Sequence, residues 1–96
     1  MSPKNKIKLN ILRKKLDKLD YQLLKTIKKR SEIIKKVISL KSHKNEIVYK
    51  KRINNILKKI KKESLKRNID PKITNRIWIN MIWSYIDFEK RNFNKK

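Results

Sequence analysis

Two cations stand where the sequence otherwise places only apolar side chains. Leu9, Leu12, Leu16, Leu19, Leu23, Ile27, Arg30, Ile34, Val37 and Lys41 follow one another at intervals of three and four. That is the spacing of one helical face. Arg30 lies in the middle of the stripe, and Lys41 closes it. A cation buried without a partner is costly, so each must be compensated. A buried ion pair would do this, as would a side chain that reaches past the helix margin to water. An anionic ligand is the third solution. Lys41, near the helix end, can reach water. Arg30 is central, and the chain offers only 8 acidic residues against 30 Lys and Arg. For Arg30, spacing alone leaves ligand and structural ion pair equally open.

Glu89 poses the complementary problem. It shares the apolar side of a C-terminal helix with Ile82, Tyr85, Ile86 and Phe93. A salt bridge to one of the many lysines would satisfy it. Asp87 falls on another face and reads as solvated. Arg13, Arg30 and Arg52 each fall within an amphipathic stretch of a chain that otherwise uses Lys freely. Arg presents a planar fork matched to a carboxylate, which Lys cannot imitate. Arg at these positions therefore hints at recognition of a carboxylate.

Composition excludes much other chemistry. There are no cysteines and one histidine, His43. Disulfides, Cys nucleophiles, zinc sites and histidine triads are not expected. The chain has no Gly, so it has no Gly-rich phosphate loop. The start, Met1-Ser-Pro-Lys-Asn-Lys, carries no apolar run, so no signal peptide is expected. No stretch approaches the roughly 18 apolar residues of a membrane span. A cytoplasmic location is the default, with no metal and no cofactor.

The formal charge of +22 points on its face to nucleic acid or an anionic membrane. Lys, Ile and Asn dominate the chain, and all three have A/T-rich codons. A genomic base bias can thus produce the Lys excess as a solvated coat. A nucleic-acid binder would not explain Arg30 among leucines, and no aromatic or Arg cluster supports one. A membrane-surface helix fails similarly, because Lys residues spread around the helices rather than onto one face.

The elements that must position these side chains are all helical. The first stripe predicts a helix from about Leu9 to Lys41, without Pro or Gly to interrupt it. Ser42 to Glu46 reads as a connection. Ile47, Ile53, Ile56, Leu57, Ile60 and Leu65 predict a second helix, ending near Arg67. Asn68 suits a left-handed stop. Asp70 can cap a third helix and Pro71 fits its first position. That helix carries Ile73, Ile77, Trp78, Met81, Ile82, Tyr85, Ile86 and Phe93. The expected domain spans 9–93, with a flexible basic segment 1–8 and a frayed end 94–96. The first helix, at roughly 50 Å, exceeds what a compact globule of 96 residues accommodates. Two shorter helices cannot cover its stripe. A second copy, forming an intertwined two-fold dimer, solves this. An extended monomeric helical hairpin is the alternative.

The run Leu12-Arg13-Lys14-Lys15-Leu16-Asp17-Lys18-Leu19-Asp20, then Leu23-Leu24, Lys29-Arg30 and Lys41, resembles the first helix of the all-helical chorismate mutases. Those proteins show L-R-x-x-[IL]-D-x-[IL]-D followed by Arg and Lys at these distances. The similarity continues through Val48-Tyr49-Lys50-Lys51-Arg52-Ile53 and Asn68-Ile69-Asp70-Pro71. It closes at Met81-Ile82-Trp83-Ser84-Tyr85-Ile86-Asp87-Phe88-Glu89. The C-terminal part is also similar to isochorismate pyruvate lyases, which share the fold and yield salicylate and pyruvate.

The resemblance implies a dimer of three-helix subunits with two active sites. There chorismate, a dicarboxylate, rearranges to prephenate for phenylalanine and tyrosine synthesis. The reaction is pericyclic and needs no nucleophile. By the same resemblance Arg30 binds a carboxylate, and Lys41 contacts the ether oxygen and a carboxylate. Glu89 donates to that oxygen, and Arg52 lies near the site. Arg13 reaches the neighbouring subunit's site. Spacing agrees with this last role: Arg13 and Arg30 are about 25 Å apart along a helix, too far to clamp one small ligand. Some mutases bind the substrate hydroxyl with acidic residues where this chain has Tyr49 and Ile53, as the lyases also lack them. Tyr85 stands where some mutases have Ser. Glu89 suits the mutase better than the Gln of the lyase pattern.

Overall fold

The computed structural model describes residues 1–93, so the expected fraying of 94–96 lies outside the described residues. Three α-helices follow in order: α1 (Pro3–Leu40), α2 (Lys50–Lys66) and α3 (Pro71–Asn92), with a short 3-10 turn at Lys44–Glu46 before α2. No strand occurs among the described residues. The all-helical expectation, with a long first helix, holds.

α1 begins six residues earlier than the apolar stripe suggests. Ser2 supplies the cap: its Oγ accepts from the Asn5 N–H at 3.2 Å, and its carbonyl takes the first helical bond, from Lys6 N–H at 2.9 Å. Pro3 occupies the first helical position, where its missing N–H costs nothing. Residues 3–8, expected as a flexible basic segment, are helical for that reason. A polar helix start carries no hydrophobic period, so periodicity misses it.

The chain divides into two compact units, Met1–Ile33 and Ile34 onward. The first is helix alone. None of its side chains is buried, and Leu12, Leu16, Leu19, Leu23 and Ile27 are all exposed.

The second unit holds the core. Ile47, Ile82 and Ile86 are buried together, with Val48, Ile53, Ile56, Leu57, Trp78 and Phe93 packed against them. The last turns of α1 contribute the buried Ile38 and half-buried Ile34 and Val37. α2 and α3 pack on each other. Beyond α1 the 3-10 turn is held by Glu46, whose carboxylate accepts from the His43 N–H at 3.2 Å. Ile47 donates to the Lys44 carbonyl at 3.2 Å, which closes the turn and sends Ile47 into the core.

The corner between α2 and α3 is built locally. Asn68 takes φ 56, the left-handed conformation expected of it. Its N–H donates to the Leu65 carbonyl at 3.3 Å, and the Ile69 N–H to Ser64 at 2.9 Å. Together these form a Schellman stop. Asp70 then caps α3 by accepting from the Lys72 N–H at 2.9 Å, with Pro71 following. Beneath the corner Ser64 donates to the Ile60 carbonyl at 2.7 Å. Thr74 completes the buried pair at 2.6 Å. The two hydroxyls share one hydrogen bond, and the Thr74 hydroxyl also lies 3.4 Å from the Pro71 carbonyl.

Candidate active site

Lys41 and Glu89 meet. Lys41 Nζ lies 2.8 Å from Glu89 Oε1, with side-chain exposures of 20% and 7%. Both belong to the unit from Ile34 onward, and each is placed by a helix end. Lys41 is the first residue past α1, and its N–H still donates to the Ile38 carbonyl at 3.2 Å. Glu89 sits in the closing turns of α3, where Trp78, Ile82, Ile86 and Phe93 mark the face turned to the core. Spacings of three, four and seven residues put Glu89 on that same face. The core's own period is what buries a carboxyl group here.

The sequence left Glu89 to be satisfied by one of many lysines. The structure selects Lys41, the lysine at the end of the first stripe. The compensation problem for these two side chains has one solution: each is the other's counter-charge. A charge-assisted bond of this length is strong when sheltered from water. Further ion pairs, Glu63 with Lys66 and Arg67, and Asp87 with Arg91, join side chains one turn apart. Exposed pairs of that kind contribute little.

The remaining candidates are placed as follows. Arg13 and Arg30 lie in the Met1–Ile33 unit and are exposed. Arg52 is exposed in the first turn of α2, Tyr49 is exposed at its cap, and Ile53 is half-buried against the core. Tyr85 is half-buried on α3, one turn before Glu89. The structure thus brings Lys41 and Glu89 into contact. Ser64 and Thr74 escaped the sequence reading. They set the α2–α3 corner and so the direction in which α3 carries Glu89. No pattern marks them, because two small hydroxyl residues on a helix surface ordinarily face water.

An ammonium beside a sheltered carboxyl can bind an anion and polarise an oxygen. It offers no nucleophile. No group of three or more potential metal ligands occurs among the described residues. No helix among them is long and apolar enough to cross a membrane. A shallow depression of about 610 Å³ lies along Lys72, Ile73, Asn75, Arg76 and Ile77. It is lined by one stretch of α3 alone and lacks a sheltered charge, so the Lys41–Glu89 pair is the better centre.

The chain is thus a three-helix protein with one sheltered cation–carboxyl contact among the ion pairs described. The chain belongs to the chorismate mutase type II family, whose model matches residues 12–90. Every candidate residue from Arg13 to Glu89 falls inside that span. Membership carries chorismate mutase activity, the rearrangement of chorismate to prephenate. No curated protein and no solved structure matched the chain.

Proposed function

We propose that Lys41 and Glu89 form the ether-oxygen end of the chorismate site. In this reading Arg30 binds a substrate carboxylate and a second copy of the chain supplies Arg13. The observation that carries it is the 2.8 Å contact between Lys41 and the buried Glu89. In the rearrangement a carbon–oxygen bond breaks as a carbon–carbon bond forms, and no proton is transferred. Negative charge grows on the departing ether oxygen. Donors fixed beforehand in a sheltered site stabilise such charge more than water can. Lys41 supplies an ammonium there. Glu89 supplies a second donor when its carboxyl is protonated. Holding the two reacting ends of chorismate together contributes the rest, and Arg30 and Arg13 are the forks suited to its two carboxylates. Arg52, Tyr49 and Tyr85 complete the set of substrate-binding residues in this reading.

The dimer is part of the proposal. Leu12, Leu16, Leu19, Leu23 and Ile27, all exposed on one side of α1, make the seam that a second α1 would cover. A site with Arg13 in trans requires that seam.

The test is a chorismate-consumption assay that follows prephenate, salicylate and pyruvate together. Prephenate alone is expected. Salicylate and pyruvate from isochorismate would assign the lyase reaction instead, a reading kept in view because Tyr49 and Ile53 are not acidic. Turnover is expected to fall as pH rises, since Glu89 donates only when protonated, and Glu89→Gln should flatten the profile. A wild-type rate that ignores pH would remove Glu89 from the role of donor.

A further inference from the structure

Packing sorts the charges of α2 by side. Ile53, Ile56 and Leu57 pack against the core around Ile82 and Ile86, and Ser64 is buried against Thr74 of α3. These positions recur at helical intervals and define the side of α2 turned to α3. The Lys and Arg residues of Lys50–Lys66 all fall outside that set and are exposed. Opposite the core side, Lys51, Asn55, Lys58, Lys62 and Lys66 succeed one another at intervals of three and four, with Lys59 and Lys61 on the two flanks. The acid of this helix, Glu63, is half-buried at the margin and already engaged by Lys66 and Arg67. The lysines that the sequence spreads around the helices thus form, on α2, a row on one side.

Such a row is costly to its own helix. Lysines three and four apart repel one another, and the repulsion opposes the helix. A line of negative charge laid against the row relieves it. From Lys51 to Lys66 the row is about 22 Å long, and duplex nucleic acid carries one negative charge per roughly 1.7 Å of its axis. A straight cationic row of that length meets several phosphates at once and releases their counterions. Asn54 and Asn55, exposed between the lysines, offer amide donors that also suit phosphate oxygens. A membrane surface fits less well. A helix that lies on lipid buries an apolar face there, and the apolar face of α2 is taken by α3.

We propose that the outward face of α2 binds the phosphate backbone of duplex nucleic acid without reading its sequence. The row includes none of Tyr49, Arg52 and Ile53, so it is separate from the substrate site and independent of the roles given to Lys41 and Glu89. It is an electrostatic attachment that leaves the rearrangement unchanged.

The experiment is a titration of a fluorescently labelled duplex of about 20 base pairs with the full chain, followed by anisotropy at several salt concentrations around 0.1 M. DNA and RNA duplexes are run in parallel. Backbone binding is expected for both, and a preference identifies which of the two is the source of the phosphates. Lys58→Gln combined with Lys59→Gln and Lys62→Gln should weaken binding about a hundredfold and reduce the slope of log affinity against log salt by about 3. Each single replacement should reduce that slope by about 1, a readout that stands if the triple variant folds poorly.

The chain is cationic throughout, so the control must match the charge removed. Lys14→Gln with Lys18→Gln and Lys25→Gln takes the same charge from the side of α1 away from its leucine stripe, and should change affinity only a few-fold. Mutase turnover should stay at the wild-type level in both triple variants. A control that weakens binding as much as the α2 variant would overturn the proposal, leaving diffuse charge alone. Absence of wild-type binding to either duplex at about 0.15 M salt would overturn it as well. So would displacement of the duplex by polyglutamate or by anionic-lipid vesicles at equal total charge, which would assign the face to an acidic protein or to a membrane. None of these outcomes touches the substrate-site reading, which the chorismate assay judges separately.

Discussion

Met1–Ile33 and the unit from Ile34 onward draw on the same few residue types and use them differently. Both are helical, rich in lysine, and carry apolar side chains at intervals of three and four. From Ile34 onward that spacing produces a core around Ile47, Ile82 and Ile86. In the first unit it produces a row of exposed leucines, Leu16 at 58% and Leu23 at 59%. The difference lies in what is available to cover each stripe. α2 and α3 cover each other. In the proposed dimer the stripe that one chain leaves open would be covered by a second copy, and the helix bearing Arg13 would be fixed by that assembly.

The largest effect should come from breaking that seam. Leu16→Asp with Leu23→Asp places two charges where a second α1 would pack. Sedimentation should report a monomer, and mutase activity should disappear. A double variant that stays active as a monomer would show that the first unit serves some other purpose.

Next is the centre of the second unit. Lys41→Ala removes the proposed donor to the ether oxygen and should lower kcat roughly 10²- to 10³-fold, the usual cost of losing such a group. It also strands the Glu89 carboxylate, so the melting temperature should drop as well. Arg30→Ala should cost a comparable factor, read as kcat/KM, with helix content by circular dichroism unchanged.

A smaller, more discriminating effect joins the two regions. Arg13→Ala and Lys41→Ala preparations, each nearly inactive, are mixed and allowed to exchange subunits. If Arg13 acts in trans, half of the dimers are hybrids with one intact site each, and about a quarter of wild-type activity returns. No recovery would place Arg13 in its own chain's site or outside any site.

The smallest change sharpens the packed unit alone. Ser64→Ala removes the hydrogen-bond partner of Thr74 in a buried pair and should destabilise by about 1–2 kcal/mol. The check is a urea melt, with mutase rate per folded molecule unchanged.

Most of the architecture is legible in the residues. Periodicity marks the apolar faces of all three helices, and Asn68, Asp70 and Pro71 mark the α2–α3 corner. The start of α1 is not legible by period, because its signal is a Ser-Pro cap on a polar segment. For the site, the sequence isolates Lys41 and Glu89 one at a time, each a charge on an apolar face. It cannot pair them, since they are far apart in the chain and meet only because the Ser64–Thr74 corner directs α3. Arg30 has a different limit. Its face belongs to the unit with no core of its own, so the stripe that the sequence assigns to a second copy is exposed in the single chain.

The α2–α3 corner also bears on how the chain comes to be folded. Its holding contacts, from the Ser64–Thr74 pair to the Asn68 stop and the Asp70 cap, span ten residues or fewer. Contacts so close in sequence close quickly and ask little loop entropy. In a chain of +22, whose lysines repel any collapse, a corner that forms by itself is a place from which order can spread. The segment from Ile60 to Thr74 can be native before the rest of the chain is ordered.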